Sequence, residues 1–161
     1  MASNDTYDGD RVTAATFVVE VDGVEIGRFM EISGLEVEVE TTPLAEGGEN
    51  GFSHHLIGKM KWTNLTLKRG ITQQDTLFRW LEKSSGEGFA AGGNTLVPST
   101  AAITLLGPME GTSGARKRLR AWEFIDAFPV KWRGPSFATS STDPATEELE
   151  IAHQGFRAVD L

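Results

Sequence analysis

Three histidines are the residues best suited to metal binding or acid-base chemistry, and two of them are adjacent. His54 and His55 carry imidazole nitrogens that can bind a metal ion. Adjacent residues in an extended chain point to opposite faces, however, and no third histidine lies nearby at ligand spacing. His153 follows Leu149 and Ile151 at a period of two, which predicts a half-buried histidine with satisfied hydrogen bonds. The histidines therefore predict neither a metal site nor a cofactor.

Two glycine patterns resemble nucleotide-binding motifs, and both depart from them. Gly58-Lys59 matches the end of a phosphate-binding loop, but Ser53 replaces the first required glycine and Met60 replaces the magnesium-binding hydroxyl. The second pattern comprises Gly86, Gly88 and Gly92. Its spacing is wrong by one residue for a dinucleotide site, and it follows a predicted helix where that site follows a strand. We therefore expect a protein without enzymatic activity. The least favoured alternative is an enzyme whose catalytic residues are distant in the sequence and come together only in the folded chain.

Charged residues form two groups, one acidic and one basic. The acids alternate along a predicted strand as Glu36, Glu38 and Glu40. Such a row is usually a solvated face, but in a ring of subunits it would be repeated and could set the potential of a channel. The basic group comprises Arg116, Lys117, Arg118 and Arg120. It is either a solvated strand edge or a docking site for an acidic partner, such as a neighbouring subunit.

Composition narrows the class of protein. The chain has 161 residues, which suits one domain over 1–161, and it contains no cysteine for a disulfide or a thiolate. Its net charge of -8 argues against nucleic-acid binding through a broad basic face. The polar, acidic start (1–14) predicts a flexible arm without a secretory signal, and no apolar run has the length of a membrane span. We therefore expect assembly in the bacterial cytoplasm.

The segment 57–81 is the strongest structural signal. Its first half alternates apolar and polar residues, which predicts a strand with Leu65 and Leu67 facing a core and a bulge near Thr63. After Gly70 the period becomes helical, with Thr72 as the expected N-cap. The helix carries an apolar stripe of Leu77, Phe78, Trp80 and Leu81. A single amphipathic helix is thus expected to pack against a sheet.

The other segments predict mainly strands. Residues 16–21 and 24–29 form a hairpin around Asp22-Gly23, a pair that supplies the positive φ angles of a tight turn. Residues 35–41 alternate, with Leu35, Val37 and Val39 on a dry side and the three glutamates on the other. Glycine-rich residues 42–56 predict a long mobile loop or a frayed hairpin, and loops of this length are usually functional or ordered by a partner. Further strands are expected at 101–106, 119–124, 128–132 and 147–153. About seven strands indicate a mainly β fold, a small antiparallel β-barrel or sandwich with one packed helix.

The order and spacing of several segments resemble a known family. The segments are LIGKMKWTNLTLKRGITQQDTLFRW, RAWEFIDAFPVKWRG and EELEIAHQGF, preceded by FVVEVDGVEIGRFMEISGLEVEVE. Together they are similar to the tail-tube proteins of contractile phages and of phage-derived contractile injection systems. The resemblance implies an Hcp-like fold whose subunits close into hexameric rings, and the rings stack into a hollow inner tube inside a contractile sheath.

The resemblance also implies partners and contact residues. The partners would be other copies of the chain, a sheath protein, baseplate or spike and cap proteins, and a cargo of effector protein or DNA in the lumen. The loop 48–56 would contact neighbouring subunits. The contact candidates are Glu49, Asn50, Phe52, His54, His55, Arg116, Lys117 and Arg118, and the candidates for the lumen wall are Glu36, Glu38 and Glu40. The alternative function is a soluble adaptor or cargo-binding module with a related β-barrel fold.

Overall fold

The fold is mainly β, with ten strands and one helix in the described residues of a computed structural model. The structure describes residues 16–44, 53–85, 92–93, 95–109, 116–136 and 144–160. In chain order the elements are β1 (Thr16–Val21), β2 (Val24–Phe29), β3 (Glu31–Ser33), β4 (Val37–Leu44), β5 (His54–Trp62), β6 (Leu65–Gly70), α1 (Thr76–Ser84), β7 (Ser99–Met109), β8 (Arg116–Arg133), β9 (Thr146–Ala152) and β10 (Phe156–Val159). The expected mainly β class with one packed helix is confirmed.

The expected N-terminal hairpin is present. Strands β1 and β2 pair antiparallel from Phe17 opposite Phe29 to Val21 opposite Val24. The two turn residues between the strands have positive φ angles, 51° and 79° for Asp22 and Gly23. Asp and Gly reach this region at lower cost than other residues, so the local sequence determines the turn.

Most strands join one antiparallel sheet of eight strands that folds over on itself. Its order is β2-β1-β7-β8-β9-β6-β3, with β10 beside β8. The terminal strands β2 and β3 are consecutive in the chain, separated only by Met30, whose amide donates to the carbonyl of Lys68 at 2.9 Å. The covalent chain therefore links the two terminal strands, but no backbone hydrogen bonds pair β2 with β3. The fold is a sandwich rather than a hydrogen-bonded barrel.

Strand β8 joins the two layers of this sandwich. Its first part, up to Ala127, pairs with β7, and its last part, from Phe128, pairs with β9. The sequence predicts two strands here, whereas the structure has a single one that bends at Asp126, where φ is 51°. Strand β10, which the sequence analysis did not predict, continues from β9 along the same edge of β8.

Apolar side chains from both layers form the core. Leu65 and Leu67 are fully buried, as their alternation predicts. The other buried members of the core are Val19, Val21, Ile26, Phe29, Leu77, Trp80, Ala101, Ile103, Phe124, Ala127, Leu149 and Ile151. Helix α1 contributes Leu77 and Trp80 from its apolar stripe. It begins at Thr76 rather than after Thr72, whose hydroxyl instead accepts the amide of Gln74 at 3.1 Å.

An ion pair lies within this core. Arg69 follows Leu65 and Leu67 on the inner face of β6, and its register partner on β9 is Glu147. Arg69 Nε lies 2.5 Å from Glu147 Oε1, and the arginine side chain is only 2% exposed. Arg69 Nη1 also donates to the carbonyl of Ile26 at 3.0 Å, and Trp132 Nε1 donates to Glu147 Oε2 at 3.1 Å. Because a buried charge is costly without partners, these contacts make the pair tolerable and tie β6 to β2 and β8.

Candidate assembly surface

Strands β4 and β5 form a separate two-stranded sheet, which we call the arm. All of its residues are exposed except Trp62, which is half-buried. An isolated hairpin is at best marginally stable in water, so an exposed arm of this length needs a covering surface to be well ordered. The two paired strands occupy both ends of the range 42–56, which the sequence predicts as a loop or a frayed hairpin, because β4 runs to Leu44 and β5 begins at His54.

One face of the arm is apolar. The register places Val37 opposite Trp62, Val39 opposite Met60 and Thr41 opposite Ile57, and directly opposed residues share a face. The exposed fractions are 36% for Leu35, 45% for Val37, 39% for Val39, 85% for Ile57 and 59% for Met60. The sequence correctly predicts the alternation of β4, but its prediction of a dry side is wrong for the single chain. Among the residues that the structure describes, none covers that side.

The opposite face of the arm is charged. Glu38 lies opposite Lys61, and Lys61 Nζ lies 2.6 Å from Glu40 Oε1. This hydrogen bond and the charge of Glu40 raise the pKa of Lys61 above its ordinary value of 10.5. Glu36, just before β4, accepts a hydrogen bond from the hydroxyl of Thr63 at 2.9 Å. The arm is therefore amphipathic, with an apolar face and a face of partly neutralised acids.

The arm is anchored to the body at Trp62. The indole ring packs edge-on against Phe156, with 5.1 Å between ring centroids, and lies 6.2 Å from His153. The imidazole of His153 contacts the carbonyl of Thr63 through Nε2 at 3.0 Å and accepts the amide of Gly155 through Nδ1 at 3.2 Å. His153 is therefore a satisfied structural residue, as its alternation predicts, and it holds the chain where the arm leaves the body.

The predicted contact residues divide between two places. His54 and His55 lie at the other end of the arm, opposite Leu44 and Pro43. The described residues contain no cluster of three metal-binding side chains, there or elsewhere. Three further candidates, Glu49, Asn50 and Phe52, lie outside the described residues. The histidines thus share the arm with the apolar face, which is a surface suited to binding a protein.

The basic cluster lies on the body, at the start of β8. Arg116 Nη1 donates to the hydroxyl of Thr16 at 2.9 Å, while Arg116 Nε is buried and has no hydrogen-bond partner among the described atoms. Lys117, Arg118 and Arg120 are exposed. The structure therefore does not bring this cluster together with the histidines on one strand, and the two are separate candidate contacts.

A family comparison identifies the class of protein. A profile described as T4-like virus tail tube protein gp19 matches residues 13–157. The chain belongs to this tail tube protein family. The match covers both layers of the sandwich and the arm. No curated protein sequence matches significantly, and no described helix of this tail tube protein is long and apolar enough to cross a membrane.

Solved structures agree with the family. A chain of an extracellular contractile injection system, the PVC sheath-tube complex in its extended state, is 25% identical with a TM-score of 0.68, over 90% of this chain and 88% of that chain. A chain of the PVC sheath/tube terminator is 26% identical with a TM-score of 0.67, over 89% and 93% of the two chains. The anti-feeding prophage baseplate contains the same fold at 21% identity, with a TM-score of 0.68 over 90% and 91% of the chains.

These comparisons confirm the function predicted from the resemblance. This tail tube protein is a structural subunit of the inner tube of a phage tail or a contractile injection system. The sequence pattern did not predict that the arm lies outside the core. One feature of the sequence indicates the exposed position of the arm. The strand with an apolar side is followed by a glycine-rich segment, which has few side chains that could cover that side.

Proposed function

We propose that the chain closes into six-membered rings and that the rings stack into a hollow tube enclosed by a contractile sheath. The family match over residues 13–157 carries this proposal. A similar chain comes from a complex described as sheath and tube, and another from a baseplate described as six-fold symmetrised. A ring requires head-to-tail contacts between two different surfaces of the subunit, which a sandwich with a projecting arm can provide.

The arm is the proposed contact between subunits. Its apolar face, from Val37 to Met60, would lie on the body of a neighbour in the same ring or in the next ring. The exposed fractions of 85% for Ile57 and 59% for Met60 support this role, because contiguous exposed apolar residues mark interaction sites. His54, His55 and the undescribed residues Glu49, Asn50 and Phe52 would extend the same contact beyond the apolar face.

The remaining candidate residues receive roles from the same arrangement. If the apolar face of the arm lies on protein, its charged face points away from that protein and toward water. We therefore retain Glu36, Glu38 and Glu40 as proposed lumen residues, with Lys61 offsetting part of their charge. Arg116, Lys117 and Arg118 would contact an acidic surface of a neighbouring subunit, because unlike charges steer such association.

The chain would act without catalysis. Its partners would be further copies of itself, a sheath protein, baseplate or spike and cap proteins, and a cargo of effector protein or DNA within the lumen. Similar chains come from complexes described as a sheath and tube, a baseplate and a tube-terminating cap, which supports the sheath, baseplate and cap partners. Assembly would take place in the bacterial cytoplasm.

Negative-stain electron microscopy tests this function when it is combined with the mass of the purified chain in solution at several concentrations. We expect six-fold rings or stacked tubes at high concentration. A Met60→Asp variant should stay monomeric, because a carboxylate would be buried in the contact made by the apolar face. Val97→Asp is the matched control, because Val97 is 66% exposed and lies outside the arm.

Each outcome of this experiment is informative. Rings from the wild type and from Val97→Asp, with monomers from Met60→Asp, would support the proposed tube and the role of the arm. Rings from all three proteins would remove the arm from the contact. A wild type that remains monomeric at every concentration, with or without sheath and baseplate proteins, would contradict the tube and favour the adaptor.

A further inference from the structure

One layer of the sandwich carries a row of alternating charges on its outer face. This layer contains β3, β6, β9 and the last part of β8, and its register aligns residues across all four strands. The row comprises Glu31, Lys68, Glu148 and Arg133. At one end of it, Arg133 Nη1 lies 3.4 Å from Glu148 Oε1. Opposite charges on neighbouring strands stabilise each other, so the row is favourable within one chain.

The neighbouring rows show that this face points outward. The next row along the strands comprises Ile32, Leu67, Leu149 and Trp132. Leu67 and Leu149 of this row are buried in the core, and Ile32 packs against it. The row after it comprises Ser33, Thr66, Glu150 and Lys131. Asn64 donates to Glu150 at 2.9 Å in that third row. The outer face therefore has an acid at its β3 end and two bases, Lys131 and Arg133, at its β8 end.

Both ends of this layer are open edges in the described part of the chain. Strand β3 is the last strand of the sheet and pairs only with β6. On β8, the ladder with β7 ends where Ser99 lies opposite Ala127, so residues 128–133 pair only with β9. Unpaired edges of this kind are sites where a strand of another chain can add.

Strand direction and charge together select the occupant of these edges. Neighbouring strands in the layer are antiparallel and the layer has four strands, so its two edge strands, β3 and β8, run in opposite directions. When β8 of a second copy in the same ring lies beside β3 of the first copy, these two strands are therefore antiparallel as well. That head-to-tail contact brings Glu31 toward Lys131 and Arg133 of the second copy. A contact between two β8 edges would instead oppose two basic pairs, and a contact between two β3 edges would bring two acids together.

We propose that Glu31 on one copy and Lys131 and Arg133 on the next select the head-to-tail contact between copies of this chain. The inference rests on the proposed ring and adds the residues that determine its orientation. Unlike charges stabilise the contact that closes into a ring, whereas like charges disfavour the two symmetric contacts that stop at a dimer. The three residues therefore determine specificity, and they act together with the apolar face of the arm.

Charge reversal tests the proposal through a double-mutant cycle. Glu31→Lys and Arg133→Glu should each raise the concentration needed for half-assembly about tenfold, because each opposes like charges at the edge. The double variant should return to within about threefold of the wild type. Within one chain Glu31 and Arg133 lie three strand spacings apart, about 14 Å, so salt at 0.1 M largely screens their charges from each other. Recovery of assembly in the double variant would therefore report a contact between two chains.

The matched control is Glu25→Lys, which makes the same charge change at an exposed residue of β2. It should assemble like the wild type. The inference would be overturned if both single variants assembled like the wild type. It would also be overturned if the double variant raised the concentration for half-assembly by the product of the two single effects, and in either case the proposed ring would remain intact. A wild type that never assembles would contradict the proposed ring and, with it, this inference.

Disulfide trapping provides an independent readout, since the chain contains no cysteine. A variant with both Glu31→Cys and Arg133→Cys should form a ladder of covalent oligomers on mild oxidation of assembled protein. Each single-cysteine variant should stay monomeric on a denaturing gel. Covalent dimers from either single variant would indicate a symmetric edge contact and would overturn the proposed orientation.

Discussion

The body and the arm use the same sequence pattern with opposite results. In the body, Leu65 and Leu67 alternate with polar residues and are fully buried. In the arm, Val37 and Val39 alternate with glutamates just as regularly, yet they are 45% and 39% exposed. Alternation therefore determines which side chains share a face of a strand, while burial depends on a second surface that the chain alone does not always supply.

Ion pairs differ between the two regions in the same way. Arg69 and Glu147 pair inside the core, where they are nearly inaccessible to water. Lys61 and Glu40 form an equally close pair on the arm, where both are exposed. Removing one partner of a buried pair leaves an uncompensated charge, whereas an exposed pair is screened by solvent. Mutations in the two regions should therefore differ most in their effect on stability.

The largest effect is expected for Arg69→Ala. It should lower the free energy of unfolding by about 3–5 kcal/mol, because the buried carboxyl group of Glu147 would lose its partner of opposite charge. Urea denaturation measures this loss. The double variant Arg69→Met with Glu147→Leu removes both charges and should recover much of it, whereas Arg133→Ala, at an exposed pair, should cost less than about 1 kcal/mol. A similar small loss from Arg69→Ala would show that the pair is dispensable.

A smaller loss of stability is expected at Gly34, where the chain passes from the body into the arm. Its φ is +85°, and an added Cβ would lie 2.0 Å from the carbonyl oxygen of Asn64. Gly34→Ala should therefore lower the free energy of unfolding by about 1–3 kcal/mol through backbone strain and displacement of Asn64. Gly70→Ala is the control in the same denaturation experiment, because nothing lies within 4 Å of its added Cβ. Equal losses from both variants would contradict the proposed crowding.

Substitution on the apolar face of the arm should separate stability from assembly. Ile57→Ser changes a side chain that is 85% exposed, so the free energy of unfolding of the monomer should change by less than about 0.5 kcal/mol. Its concentration for half-assembly should nevertheless rise. Thermal melting of the dilute protein and light scattering at high concentration measure the two quantities. A large loss of monomer stability would mean that the arm packs on its own chain.

The smallest effect concerns pH and Lys61. Its hydrogen bond to Glu40 raises the pKa above 10.5, so the pair stabilises the arm below that pH. The contribution is lost as the pH rises through the raised pKa. An NMR titration of the lysine side chain should give a lower pKa in Glu40→Gln than in the wild type. Identical titration curves for the two proteins would show that the pair does not form in solution.

The sequence predicts what neighbouring residues determine. The hairpin at Asp22-Gly23 is confirmed because the positive φ angles of its turn depend on those residues alone. The burial of Leu65 and Leu67 is confirmed because the fold supplies a core on their side. The mainly β class and the tail tube family are confirmed as well, since they depend on the order of many such segments.

Features that depend on distant partners could not be predicted in this way. Asp126 and Pro129 interrupt the strand pattern of β8, yet pairing with β7, β9 and β10 keeps its 18 residues in one strand. Arg69 reads as a polar residue at the end of a strand, and only the register with Glu147 explains its burial. For the assembly surface, the sequence predicted the strands of the arm but not that the apolar face is left exposed by the described part of the chain.

Strand β8 also has a consequence for how the chain folds. Because its first part belongs to one layer and its last part to the other, neither layer can be completed while β8 is unpaired. Its partners come from both sides of it in the sequence, and such long-range pairing makes folding slow and cooperative. The body should therefore unfold as a single unit, whereas amides in the arm should exchange with solvent through local opening long before the body does.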